Sequence, residues 1–410
     1  MNETRPLVAA FVVGLVCAIP WSQAQADDDT RGASVLEGDA NMPNEVQGDA
    51  SMVAAYAEAI GLTNDAAQLR MSTEGAIVQS LALFGIADDS SVIDVWLETD
   101  VNAVVLYARS VDPASVQAVK DIARSTGIEL RLIEQDAFVQ RRSAVAGKYT
   151  DELSLTIPGL QGFFIDPATG DLVLDVVDGQ LSATDVRRQS PMESTAARIT
   201  NLPAHINSLA GTFHDTATVN GGVALSNCTA AFPGSYNLAG RDYRGFFTAA
   251  HCGTQLSYFY GVAASGAGRS AAYRAMTYNA NADIAFHSVT GGDIGGSRFY
   301  GSSASVTTGM GPGASAAPGA TVCKRGRDSG YSCGKVESTM YRPTYPDACK
   351  GLACNASFVK VLVGGTSGDS GGPVWTGVNL PVGIIKGGDD SGSATIYSKI
   401  GFIPGNTSLG

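Results

Sequence analysis

The sequence predicts an all-β second half preceded by a smaller α+β unit, and three observations carry that reading. Glycine is unevenly spread, with 13 residues in positions 1–205 and 36 in 206–410, which fits a second half of many short strands joined by tight turns. Beyond about residue 220, β-type runs alternate with Gly, Ser, Asn and Asp clusters and no long amphipathic helix intervenes, the pattern of a barrel or sandwich. The charge balance changes at the same place: residues 1–205 hold 29 acidic and 13 basic side chains, residues 206–410 hold 10 and 14, and together they give the net charge of −12. Opposite charge would steer the two halves together. The basic excess is too small to argue for nucleic acid. A length of 410 residues and 44% hydrophobic content fit two or three globular domains.

In chain order, Arg5 precedes an apolar run over residues 7–19, and Ala24-Gln25-Ala26 supplies a small-x-small cleavage pattern before Asp27-Asp28-Asp29. Residues 1–26 are therefore expected to be a signal peptide and the mature protein to be secreted, with no membrane association once the signal is removed. The run is shorter than the roughly 20 residues of a membrane span. Cys17 follows Val16 rather than a small residue, which argues against a lipoprotein. Residues 27–50 are acidic and poor in aromatics, a flexible lead-in. Residues 51–85 have helical spacing, strand-like runs follow at 92–98 and 103–108, a helix is expected over 113–125, and another strand over 128–133. A hairpin is expected over 162–176, turning through Asp166-Pro167-Ala168-Thr169-Gly170-Asp171. No histidine precedes His205, so residues 27–205 read as non-catalytic. A polar segment over 189–220 separates this unit from residues 206–410, with the boundary between 194 and 220.

Six cysteines remain after the signal, all between Cys228 and Cys354. An even number in an exported domain predicts three disulfides, and proximity along the chain selects Cys228–Cys252, Cys323–Cys333 and Cys349–Cys354 from fifteen possible pairings. No Cys-x-x-Cys occurs and histidines number only four, so neither a metal nor another cofactor is expected.

The chemistry centres on Gly368-Asp369-Ser370-Gly371-Gly372-Pro373. A serine hydroxyl needs an imidazole to take its proton and a carboxylate to orient that imidazole. His251, in Thr248-Ala249-Ala250-His251-Cys252 at a strand end, is the candidate base. Asp283, among the small and apolar neighbours of Asn281-Ala282-Asp283-Ile284-Ala285, is the candidate orienting carboxylate. Asp242 and Asp293 lie in loops where water would solvate them, and His205, His214 and His287 read as structural. The pentad over 368–372 also fits the nucleophile elbow of lipases, but that fold places its histidine after the serine and none follows Ser370. The β/α/β pattern of subtilisins is absent. The order His251, Asp283, Ser370 on a β framework is that of chymotrypsin-like proteases.

On these residues the second half resembles the α-lytic protease and streptogrisin group of bacterial secreted serine proteases. The segments that carry the resemblance are residues 244–253, the cysteine loop Cys323-Lys324-Arg325-Gly326-Arg327-Asp328-Ser329-Gly330-Tyr331-Ser332-Cys333, and the serine motif. The resemblance implies two antiparallel six-stranded β-barrels with the active site between them. It implies His251 as general base and acid, Asp283 as its orienting group, and the N–H groups of Gly368 and Ser370 as the oxyanion hole. It also implies that the first half is a pro-region that assists folding, inhibits the protease and is then removed, leaving a monomer that acts on protein or peptide substrates. The hairpin over 162–176 is similar to a pro-region segment of that group. Two departures stand out: Lys324 replaces an arginine expected to pair with Asp369, and Lys386 replaces a serine in the strand over 383–388. Ile385, Lys386, Gly387 and Gly388 of that strand are the expected substrate-binding residues, with the Lys386 stem along the cleft and its head in water. An inactive protease-like binding protein and an esterase on the same scaffold are the alternatives.

Overall fold

The computed structural model describes most of residues 50–83, the segments 92–98, 103–108, 129–134, 160–166, 172–177 and 197–202, isolated positions between 117 and 124, and most of residues 218–410. The expected signal peptide over 1–26, the lead-in up to residue 49, the turn of the expected hairpin over 167–171 and the boundary stretch over 203–217 lie outside the described residues.

Strand pairing in the second half gives two barrels, as the sequence predicts. The first is an antiparallel sheet of six strands, Gln255–Tyr258, Arg269–Tyr278, Asp283–Ser288, Arg241–Thr248, Pro233–Leu238 and Thr407–Leu409, each paired with the next. It wraps Val223, Leu225, Phe246, Leu256 and Tyr258. The second runs Thr321–Gly326, Pro373–Thr376, Leu380–Gly388, Thr395–Lys399, Phe358–Leu362, Gly330–Pro343, and closes because Gly330–Pro343 pairs back onto Thr321–Gly326. Its interior is rich in β-branched residues, among them Val322, Val336, Val361, Val374 and Ile385, which suit a pleated, packed surface. Phe247, Phe286, Phe299, Trp375 and Ile384 join the two barrels in one apolar cluster. Closure of the second barrel removes free edges that a twisted sheet would otherwise expose.

The first half is α+β. A helix spans Asn64–Leu83. Strands Val92–Glu98 and Ala103–Ala108 pair antiparallel, and Ala103–Ala108 pairs parallel with Glu129–Glu134, one residue later than expected. A parallel pair needs a crossover of a dozen or more residues. Of the helix expected over 113–125, Gln117, Lys120, Asp121 and Arg124 are described, and all are helical. Strands Leu160–Ile165 and Leu172–Val177 form the expected hairpin. It continues the sheet of the second barrel, since Gly162 and Phe163 pair with Pro343 and Arg342.

One correction falls in the boundary segment read as merely polar. Residues Ala197–Leu202 form a strand there, parallel to Leu172–Val177. Ala-Arg-Ile-Thr-Asn-Leu is too short and too polar to be distinguished from its flanks, and it is the open edge of the hairpin that gives its backbone groups partners.

Candidate active site

The strand Arg241–Thr248 delivers the chain to a single 3₁₀ turn, Ala250–Cys252, that carries His251. The disulfide Cys228–Cys252 ties this turn to the preceding loop. Asp283 opens the neighbouring strand and is fully buried, with its own N–H donating to Ser398 Oγ at 3.0 Å. The two residues meet twice: the His251 backbone N–H donates to Asp283 Oδ1 at 2.9 Å, and His251 Nδ1 lies 2.6 Å from Oδ2. Contact with both oxygens fixes the imidazole in position and in plane.

Lys386 supplies a third contact. Its Nζ donates to the same Asp283 Oδ2 at 2.9 Å, from a site enclosed by the rings of Tyr278, Tyr345 and Phe358 at 6.0, 5.9 and 5.5 Å. The expected placement of its head in water is therefore corrected: Lys386 is 4% exposed. The cause is a β-bulge. Ile385 pairs with Tyr397 and Gly387 with Ile396, so Lys386 is the extra residue, turned away from the ladder and into the space between the barrels. Burial alone would raise the Asp283 carboxyl, but the His251 hydrogen bond and the Lys386 charge outweigh it and lower it to about 2.

Ser370 approaches from the second barrel. Gly371 N–H donates to Ile385 O at 2.7 Å, Ile385 N–H to Gly372 O at 2.9 Å, and Thr229 N–H of the first barrel to Ser370 O at 2.8 Å. Gly368 and Gly371 have φ of +97° and +85°, and a Cβ on either would collide, at Gly368 with the Asp328 carboxylate and at Gly371 with Thr248 Oγ1 and Thr229 O. Glycine is thus required on both sides for the serine loop to reach the end of the histidine strand. The Ser370 hydroxyl donates to the Lys386 carbonyl at 3.2 Å, and among the described residues it makes no hydrogen bond to His251.

Asp369 is held beneath the serine by Lys324, whose Nζ lies 2.9 Å from Oδ2, both side chains being buried. The N–H groups of Asp328, Ser329 and Thr366 donate to the carboxylate at 3.1, 2.9 and 3.1 Å, and the Ser329 hydroxyl adds another contact. Burial opposes ionisation of Asp369, yet the Lys324 charge and these donors leave its carboxyl below the usual range.

The remaining candidates separate cleanly. His287 is fully buried, stacked on Phe246 and edge-on to Tyr273, and burial lowers it to about 4, so it is a neutral core residue at ordinary pH. Asp242 is on the surface, accepting from Asn237. His205, His214 and Asp293 are outside the described residues. Gly387 and Gly388 follow the bulge and are half-buried. All three disulfides, Cys228–Cys252, Cys323–Cys333 and Cys349–Cys354, are present. The ligand-like atoms of Cys228, His251 and Cys252 cluster, but both sulfurs are bonded to each other and offer no thiolate to a metal. What sequence reasoning missed is the side-chain contact of Lys386 with Asp283. The available signal was a lysine inside the apolar strand over 380–388, where a buried charge needs an opposite partner.

Two β-barrels with a histidine–aspartate pair in the first and a glycine-flanked serine in the second define a chymotrypsin-like serine protease. Residues 241–403 match the trypsin family model. Similar solved structures include Thermobifida fusca protease A, at 22% identity over 45% of this chain and 92% of that one, with a TM-score of 0.37. Cellulomonas bogoriensis chymotrypsin is 23% identical over 45% and 92%, with a TM-score of 0.36. A glutamic acid-specific serine protease described as using a histidine triad in substrate binding is 24% identical over 45% and 94%, with a TM-score of 0.37.

Proposed function

We propose that the protein is a secreted serine endopeptidase made as a proenzyme. His251 takes the proton of Ser370 as Oγ attacks the scissile carbonyl, and returns it to the departing amine. Water then repeats the sequence on the acyl-enzyme. Asp283 holds the imidazole and stabilises its charged form. The N–H groups of Gly368 and Ser370 receive the oxyanion, and Ile385, Lys386, Gly387 and Gly388 lie along the substrate. Release of the Ser370–Lys386 hydrogen bond frees the hydroxyl for His251; catalytic hydrogen bonds are commonly long or misaligned without substrate. The observation that carries this reading is the double contact of His251 with Asp283 beside a serine loop shaped by two glycines of positive φ.

Residues 27–205 act as folding assistant and inhibitor. In support, the hairpin over 160–177 extends the barrel sheet, and Lys360 Nζ reaches Asp175 at 2.6 Å and Glu337 at 2.8 Å in a buried group shared by both halves. Three disulfides fit an oxidising compartment, and no described helix is long and apolar enough to cross a membrane.

Casein hydrolysis by the wild type and Ser370→Ala tests the assignment. Activity should be lost in the variant, which should also retain its first half. Equal hydrolysis by both, or none by correctly processed wild type, would overturn the protease reading; normal processing of Ser370→Ala would mean that another protease removes the first half.

A further inference from the structure

Lys386 touches both ends of the proposed triad: its carbonyl accepts from Ser370 Oγ, and its ammonium binds the carboxylate that holds His251. We propose that Lys386 is a positioning residue whose buried ammonium shares Asp283 Oδ2 with His251 and extends activity toward acid pH. This rests on the protease reading above.

The argument is electrostatic. Neutral His251 needs only an acceptor for its Nδ1–H, which Asp283 remains with or without the lysine. Protonated His251 is a second cation on the same carboxylate oxygen, 2.6 Å from it, while the ammonium is already there at 2.9 Å. The shared carboxylate and the ammonium are buried while the His251 side chain is 35% exposed, so the two cations on one anion repel, with solvent screening on the imidazole side. The lysine therefore opposes the inactive, protonated form of the base. The rings of Tyr278, Tyr345 and Phe358 keep the ammonium in place by cation–π attraction.

The other titratable and charged groups facing this cluster do not reproduce that effect. Tyr278 is pushed up by burial and by the nearby charges of Asp283 and Asp347, so its hydroxyl stays neutral across the working range. Lys350 lies over the Tyr278 ring, 5.6 Å from its centroid, and is exposed. Tyr345 contributes its ring, and Ser398 accepts from the Asp283 N–H. Lys386 is the cation in hydrogen-bond contact with Asp283.

The test compares kcat/KM against pH for wild type, Lys386→Met, Lys386→Gln and Lys386→Arg with one peptide substrate, using Ser370→Ala as the blank. Loss of the charge should move the acid limb up by about one pH unit in Lys386→Met and Lys386→Gln, while Lys386→Arg keeps it near the wild-type position. Because Lys386 is also placed along the substrate, the height of the plateau is not the readout; the position of the acid limb is. An unchanged acid limb in active Met and Gln variants, or a fall in kcat without a shift, would overturn the proposal while leaving Ser370-dependent hydrolysis intact. Absence of Ser370-dependent hydrolysis in the wild type would instead sink the protease reading. Should the neutral variants fail to fold, the ¹⁵Nζ resonance of Lys386 in the wild type gives the answer: its chemical shift should change across the acid limb, and a resonance indifferent to that transition would refute the coupling.

Discussion

At Asp369 the chain buries a carboxylate one residue before Ser370 and surrounds it with three backbone donors, the Ser329 hydroxyl and one cation, Lys324. Both ions are nearly inaccessible to water, so removing the cation leaves a charge that the donors compensate only in part. Lys324→Met should destabilise the protein by about 3 kcal/mol and abolish hydrolysis, because the turn carrying Ser370 loses its anchor. Denaturation midpoint and casein activity measure the two effects; a variant with both at wild-type level would show the pair to be dispensable. This ion pair was legible only through the resemblance, in which an arginine at the Lys324 position is expected to pair with the aspartate before the serine. The His251–Asp283 pair was legible from the residues themselves, as their order and neighbours restrict the fold. The contact of Lys386 was not, because it depends on a one-residue bulge, and a bulge reverses the side to which a side chain points.

Elements built from local patterns were read with little error, and the errors arose where an element depends on its partner. Val92–Glu98, Ala103–Ala108 and the hairpin strands carry β-branched or aromatic residues that favour a strand by themselves. Ala197–Leu202 does not, and exists as the parallel neighbour of Leu172–Val177. The junction between hairpin and barrel is equally a matter of partners: Gly162 faces Tyr341, and a Cβ there would strike the tyrosine hydroxyl. Tyr341 is fully buried beside Phe164, Val173 and Phe358, so it has no room to swing aside. Gly162→Val should force the strands apart, at a cost of 1–3 kcal/mol for overpacking, and lower the yield of active protease about tenfold. Secreted activity per cell measures this. An unaffected yield would mean that the hairpin contact contributes little to folding.

Across the whole molecule the acidic first half and weakly basic second half suggested attraction through surface charge, but the described contact is buried and stoichiometric. Residues Pro43–Gly410 form one compact unit, and Lys360 within it binds Asp175 of the first half and Glu337 of the second. One ammonium faces two carboxylates away from water, so burial raises Asp175 to about 6, with Lys360 opposing the shift and Glu337 adding to it. The sign follows from proton counting. A carboxyl near 6 when docked and near 4 when unfolded holds more protons in the folded full-length chain between those values. Its contribution is fully present below about pH 4 and is lost as pH rises through about 6. Asp283 behaves oppositely, its stabilisation being lost only as pH falls from about 4 toward 2, so the two windows do not overlap. For intact Ser370→Ala proenzyme, docking of the first half should therefore strengthen by about 1 kcal/mol from pH 7 to pH 5. Urea unfolding at these two pH values measures the increment, and adding Asp175→Asn should remove it. An increment that survives Asp175→Asn would assign the pH dependence to another group and leave Asp175 with a purely structural part in holding the halves together.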